Sequence, residues 1–221
     1  MSAIAIVGAG PGLGLSTARV FGGHGFDVAL IARNEKKLDG FTALLEADGV
    51  KAAGFAADAA DQAALASAME RAAACFGGID VLVFSVGPAG IISALDVTVE
   101  NLRPGLESVC YGAVTATRAV LPAMLASGTG TLLFTTGGSS VTPVPMFGNG
   151  GVIGGALRNW ALTLNRSLAG QGVYAGHVAI GAWLAGTPGP TDAPRLEPDD
   201  VARIYWDMHT ARDLAEYVVT A

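Results

Sequence analysis

Short β-branched runs alternate with longer Ala- and Leu-rich stretches along the chain, and this alternation restricts the fold more than any other feature. Ile4–Val7, Asp27–Ile31, Ala52–Ala56, Val81–Phe84, Thr131–Thr135 and Val173–Ile180 read as strands. Gly12–Phe21, Glu35–Ala47, Gln62–Cys75, Glu100–Leu125, Ile153–Leu168 and Asp199–Ala215 read as helices. Asp61 is placed to cap the third helix, Pro104 interrupts the fourth near its start, and Pro198 introduces the last. Trp183–Leu196 reads as a Gly/Pro-rich loop. Strands and helices alternating at these lengths predict βαβ units and a parallel sheet. The strands are apolar on both faces, which requires helices on both sides of the sheet. No linker, repeat or composition break divides the chain, so one domain over residues 1–221 is expected.

Composition narrows the partners. Hydrophobic residues make up 51% of the 221 and charged residues only 14%, which excludes a disordered chain. The net charge is −6 and no Lys/Arg cluster occurs, so neither nucleic acid nor a membrane surface is expected as a partner. No charge occurs between Arg118 and Arg158, yet Pro122, Pro143, Pro145 and the run Gly137-Gly138-Ser139-Ser140 break that stretch before a spanning helix could form. The N-terminus lacks the positive start of a signal peptide. Cys75 and Cys110 have no metal or redox spacing, and a reducing, cytoplasmic setting is the simplest expectation. His24, His177 and His209 share no ligand spacing, so no metal site is expected, and His177, inside an apolar strand, reads as a core histidine.

The first strand runs into Gly8-Ala9-Gly10-Pro11-Gly12-Leu13-Gly14 and then a helix. The spacing is G-x-x-x-G-x-G on Gly8, Gly12 and Gly14, not G-x-G-x-x-G. Glycine allows a tight turn and close backbone approach, and the helix N-terminus attracts a phosphate. Further on, Asp58 follows the third strand, Ser85-Val86-Gly87 follows the strand VLVF, and Gly172–Val178 leads the sixth strand.

With these motifs the chain resembles the short-chain dehydrogenase/reductase family over nearly its whole length. The resemblance implies a single Rossmann-like, doubly wound parallel sheet flanked by helices on both faces, and a bound NAD or NADP. It implies cofactor contacts from Gly8, Gly10, Gly12, Leu13, Gly14, Arg33, Asn34, Asp58, Ala59, Ser85, Val86 and Gly87. The second strand ends in Ile31-Ala32-Arg33-Asn34, with Ala32 where an NAD site would place an acid. Arg33 can pair with a 2′-phosphate, so NADP is expected rather than NAD. The helices at 100–125 and 153–168 resemble those of the family's two-fold interface and are poor in charge, which implies a homodimer or homotetramer.

The family's catalytic Asn, Ser, Tyr and Lys are missing. Counted back from Gly172 without gaps, the Lys position falls on Gly154 and the Tyr position on Gly150; the Ser and Asn positions fall on Gly137 and Val109. No Tyr-x-x-x-Lys occurs, and the only lysines are Lys36, Lys37 and Lys51. Substitutes are few. Ser139 or Ser140 can take the serine's place after a short slip, Asn149 adjoins the missing Tyr, and Arg158 lies one helical turn beyond Gly154. Tyr111, about 200° around the helix from Val109, is expected in the core, facing away from the pocket. Trp183, Tyr205 and Trp206 either line the substrate cleft or pack the last helix.

Three functions fit a small-molecule cleft of this kind. One is an oxidoreductase of a small carbonyl or alcohol. The others are a non-catalytic NADP-binding sensor or partner-binding protein, and a non-redox enzyme such as a dehydratase or isomerase. The loss of all four groups beside a kept cofactor turn favours the second and third.

Overall fold

The computed structural model describes residues 2–220. Its strands are β1 Ala3–Val7, β2 Asp27–Ala32, β3 Ala52–Ala56, β4 Val81–Phe84, β5 Gly130–Gly137, β6 Val173–Ile180, β7 Trp183–Leu184, β8 Arg195–Leu196 and β9 Glu216–Val219. Its helices are α1 Leu13–Gly23, α2 Glu35–Ala47, α3 Gln62–Phe76, α4 Val99–Gly105, α5 Gly112–Ser127, α6 Gly148–Ser167 and α7 Pro198–Ala211. Seven strands form one parallel sheet in the order β3-β2-β1-β4-β5-β6-β9, while β7 and β8 pair separately. This is the doubly wound α/β fold, with helices on both faces.

The strand alternation divides the interior into two cores. Ala3, Ala5 and Val7 of β1 join one core with Leu65 and Met69 of α3, Val120 of α5 and Leu157 of α6. Ile4 and Ile6 join the other with Phe21 of α1, Leu38 of α2 and Tyr205 of α7. Each buried Leu, Ile or Phe contributes about 1.5–3 kcal/mol. Trp206 also belongs to this helix packing: it stacks on His24 at a centroid distance of 3.6 Å and meets Phe21 edge-on at 5.3 Å.

Several boundaries differ from the sequence reading. The last helix ends at Ala211, not Ala215. Arg212 takes the left-handed conformation at φ 52°, and its guanidinium is held by the carbonyls of His209 and Gly172. Those bonds offset the roughly 1–2 kcal/mol that a non-glycine residue spends in that region. The chain then turns back, and Glu216–Val219 adds a seventh strand beside β6, with Glu216 opposite His177. The long fourth helix is α4 and α5 joined by a widened π-turn at Leu106–Tyr111. In length and composition Val99–Ser127 is apolar enough to cross a membrane. Here one face of it is core, with Val109, Ala113, Ala116 and Val120 buried. Tyr111 is not core; it is 55% exposed on the outer side of the π-turn. Helix α6 begins at Gly148 rather than Ile153, because its glycines are used for close packing: a Cβ at Gly148 would lie 2.4 Å from Ala94 Cα.

Candidate active site

Strand order reverses direction between β1 and β4, and a crevice opens at the carboxyl ends of these strands, where open α/β sheets bind ligands. A larger cavity of about 850 Å³ and a smaller one of about 460 Å³ share Gly8, Ser85, Val86, Gly87 and Pro88, so they form one continuous cleft.

The glycine turn forms one wall. Gly8 has φ +93°, and a Cβ there would lie 2.4 Å from the Ser85 carbonyl oxygen. A Cβ on Gly14 would lie 2.8 Å from Ala9 Cα. The protein's own packing therefore demands glycine at both positions. Gly10 is different: nothing lies closer to its Cβ position than 4.0 Å, so the space it leaves open belongs to the cleft. Helix α1 begins here with no side-chain cap and no acidic residue in its first turn. Its free N–H groups and dipole make this end a site for an anion such as a pyrophosphate.

The smaller cavity is lined by Arg33, Asp58 and Ala59 along with the shared residues. Arg33 is exposed and has no acidic partner within 4.0 Å among the described residues. One Asp58 carboxylate oxygen accepts the Ala60 N–H at 3.0 Å. Of the residues expected around the cofactor, Gly8, Gly10, Gly12, Leu13, Gly14, Arg33, Asp58, Ala59, Ser85, Val86 and Gly87 line the cleft. Asn34 does not. Its side chain caps α2 by accepting the Lys37 N–H at 3.0 Å. The donor set and open glycine cradle fit a dinucleotide.

The larger cavity continues past the glycine turn to Val109, Thr135, Thr136, Gly137, Ser139, Phe147, Asn149, Gly150 and Trp183. Three of the four positions that the sequence reading assigns to the family's tetrad, Val109, Gly137 and Gly150, thus border it. A Cβ on Gly150 would lie 3.2 Å from Ser139 Oγ. One on Gly154 would lie 3.1 Å from Ser140 Cβ and 3.5 Å from Thr136 Cβ. The two serines after β5 therefore crowd the space beside Gly150 and Gly154. Trp183 and Phe147, 6.3 Å apart, close the outer side.

The proposed substitutes separate. Ser139 lines the cavity from a short 3₁₀ turn. Asn149 also lines it, but its amide is engaged: Oδ1 accepts the Ile92 N–H at 3.1 Å, and Nδ2 donates to the Gly90 carbonyl at 3.3 Å. It latches the segment after β4 to the start of α6. Arg158 does not reach the cleft. It donates to both oxygens of Glu216 on β9, at 2.5 and 2.8 Å. Sequence reasoning missed Glu216 altogether, because it lies on a strand beyond Ala215, where the sequence reading ends its last element.

Two buried rings stand behind the cleft wall. On one face of the sheet, Tyr205 OH bonds Thr135 Oγ1 at 2.5 Å. Burial pushes its pKa up to about 12, although bonds to Thr135 and Ser85 pull the other way. On the opposite face, His177 Nε2 lies 2.8 Å from Thr136 Oγ1, and Nδ1 lies 3.0 Å from Glu216 Oε1. Burial lowers the His177 pKa more than Glu216 raises it. The Arg158 hydrogen bonds hold the Glu216 carboxyl below the usual carboxylate range.

Comparison with known proteins agrees with this architecture. Over 202 residues the chain is 27% identical to an uncharacterized oxidoreductase of Staphylococcus aureus, covering 89% of this chain and 86% of that one. It is 35% identical over 129 residues to dehydrogenase/reductase SDR family member 7B of Rattus norvegicus. That match covers 55% of this chain and 39% of the relative, so the chain spans well under half of that protein's length. The crystal structure of L-sorbose reductase from Gluconobacter frateurii, complexed with NADPH and L-sorbose, superposes with a TM-score of 0.86 at 20% identity, covering 99% and 95% of the two chains. The sequence profile of the short chain dehydrogenases matches residues 2–192, and the chain belongs to that family.

Proposed function

We propose that this protein binds NADP(H) and interconverts a small carbonyl compound and its alcohol without the family's tyrosine–lysine pair. The observation that carries the reading is the continuity of the cleft. A dinucleotide-sized groove runs from Arg33 and Asp58 past the glycine turn into a chamber bordered by Thr136, Ser139 and Trp183. When bound, the dinucleotide supplies or accepts hydride. The chain's own residues do the rest. The α1 N-terminus and Gly10 receive the pyrophosphate, Arg33 pairs with the 2′-phosphate, and Asp58 meets the adenine edge. The Ser139 hydroxyl donates to the substrate oxygen, and Phe147 and Trp183 exclude water.

A second reading, a dinucleotide sensor without turnover, has one observation in its favour. Glu197, by the glycine turn, is the one ionisable residue among those lining the larger cavity. The dehydratase or isomerase reading is left with Ser139 alone of its three candidate residues, since the side chains of Asn149 and Arg158 are engaged elsewhere.

Calorimetric titration tests the cofactor. NADPH is expected to bind more tightly than NADH, and Arg33→Ala is expected to remove that preference. The phosphate pair is charge-assisted but exposed, so the loss is set at the low end of such bonds, roughly tenfold. Equal affinities in the parent protein would overturn the assignment.

A further inference from the structure

A continuous chain of hydrogen bonds runs from the cleft wall to the far edge of the sheet. Ser140 Oγ lies 2.7 Å from Thr136 Oγ1, and Thr136 Oγ1 lies 2.8 Å from His177 Nε2. His177 Nδ1 lies 3.0 Å from Glu216 Oε1, which also accepts from Arg158 Nε. Thr136 lines the cavity, whereas His177 is fully buried one layer behind it.

The charges fix the proton positions. Arg158 keeps Glu216 ionised, and an ionised carboxylate beside Nδ1 requires the imidazole proton there. Nε2 of the neutral ring then carries a lone pair, which accepts from the Thr136 hydroxyl. The Gly137 carbonyl lies 3.2 Å from the same hydroxyl and offers its proton a second resting place. A relay needs that second acceptor, because the hydroxyl must turn when the ring gains a proton. The groups facing His177 are Glu216 from β9 and Arg158 from α6; its neighbours on β5, Phe134 and Thr136, do not titrate near neutral pH. Tyr205 behind Thr135 is the competing candidate, but a phenol pushed up to about 12 stays protonated and cannot act as a base near neutral pH.

We propose that His177 gives and takes the proton of the cleft through the Thr136 hydroxyl, with Glu216 and Arg158 as positioning residues, in place of the missing tyrosine and lysine. The proposal rests on the NADP(H) reading. In the oxidising direction the hydrogen on the carbinol carbon leaves as hydride to the oxidised nicotinamide, and the C–O bond becomes C=O. The alcohol proton passes to Thr136 Oγ1 as the Thr136 proton passes to His177 Nε2. The ring becomes an imidazolium held by Glu216, and it returns the proton in the reducing direction.

Three measurements test this. Ring-nitrogen NMR of labelled histidine should show His177 neutral with its proton on Nδ1 in the free protein near neutral pH; a proton on Nε2 instead would overturn the relay. NADPH and NADP⁺ turnover against a carbonyl and alcohol panel should fall roughly a hundredfold or more in Thr136→Val and His177→Gln. KM should change little, and Thr136→Ser should retain activity. Alcohol oxidation by the parent should decline in acid as His177 protonates, and His177→Gln should lose that dependence. Thr136→Val leaves the buried ring in place, so it decides the matter even where His177→Gln unfolds. Failure of NADPH to bind overturns the cofactor reading and the relay together. Binding without turnover overturns the relay and the carbonyl–alcohol reading while leaving cofactor binding intact, and matching activities in the parent and Thr136→Val overturn the relay alone.

Discussion

At the β1–α1 end of the cleft, glycine stands where main chain must approach main chain. At the β5–α6 end, it stands where family resemblance places side chains that move a proton. Gly8 and Gly14 have no room for a Cβ beside Ser85 and Ala9, so the fold itself demands them. A Cβ on Gly150 would lie 3.2 Å from Ser139 Oγ and one on Gly154 3.1 Å from Ser140 Cβ, contacts made by side chains and not by main chain. The first pair is fixed by backbone geometry. The second is fixed by which neighbouring side chains have moved in. The binding end of the cleft can therefore keep its form whatever groups carry the proton chemistry, which the proposed relay assigns to hydroxyls backed by a buried imidazole.

The largest expected effect breaks the binding end in two distinguishable ways. Gly14→Ala forces a Cβ against Ala9 main chain, and overpacking of this kind costs about 1–3 kcal/mol. Gly10→Ala meets no protein atom closer than 4.0 Å, so stability should change by less than about 0.5 kcal/mol. NADPH affinity should nevertheless drop at least tenfold, because the added methyl enters the space that the proposed binding mode gives to the pyrophosphate. Urea unfolding and calorimetry on the two variants separate the effects. Unchanged NADPH affinity in Gly10→Ala would show that the open side of the turn is not where the dinucleotide lies.

A smaller effect comes from protons. Burial depresses the folded-state pKa of His177 below the ordinary imidazole value of 6.5, so the unfolded chain takes up that proton more readily. The stability His177 contributes is fully present above about pH 6.5 and is lost as pH falls through the folded value. Glu216 is lowered as well, chiefly by Arg158, so its contribution is present above the ordinary carboxyl value of 4.5 and lost as pH falls through the folded one. His209, also lowered by burial, acts in the same window as His177. Melting temperature should therefore fall on acidification from pH 7 to pH 4. His177→Gln should remove part of the slope above pH 5 and leave the Glu216 step below it. An unchanged slope in that variant would show that His177 is not buried as a neutral ring.

The cofactor half was legible because its signals are local: a strand, a glycine turn and a helix follow one another, and Arg33 directly follows β2. The catalytic half depends on contacts distant in sequence. Glu216 meets His177 only because β9 joins the sheet, and β9 is four residues long with no glycine before it, since Arg212 makes the left-handed turn. The residues between Arg212 and Ala215 read as the end of the last helix, and the sequence reading places no element on the four residues after them. The early start of α6 was hidden for the opposite reason. Glycine has poor helix propensity, and only the contacts of Gly148 and Gly154 explain why helix forms there. His177 was visible as a polar residue in an apolar strand, but its partners were not.

The smallest expected effect examines those helical glycines side by side. Replacing a glycine by alanine inside a helix gains about 0.5–1 kcal/mol from the lost freedom of the unfolded chain. Gly155 has nothing within 4 Å of its Cβ position, so Gly155→Ala should show that gain in full as a higher urea midpoint. Gly154→Ala draws on the same propensity but places its methyl 3.1 Å from Ser140 Cβ. Ser140 is tied to Thr136 at 2.7 Å, so it cannot yield without stretching that bond. The two terms should nearly cancel, leaving the midpoint close to that of the parent. Gly154→Lys should then fail to rebuild the family's lysine, since its first side-chain carbon already meets that wall. An equal gain in both alanine variants would mean that Ser140 moves freely, and that the space of the missing lysine is open after all.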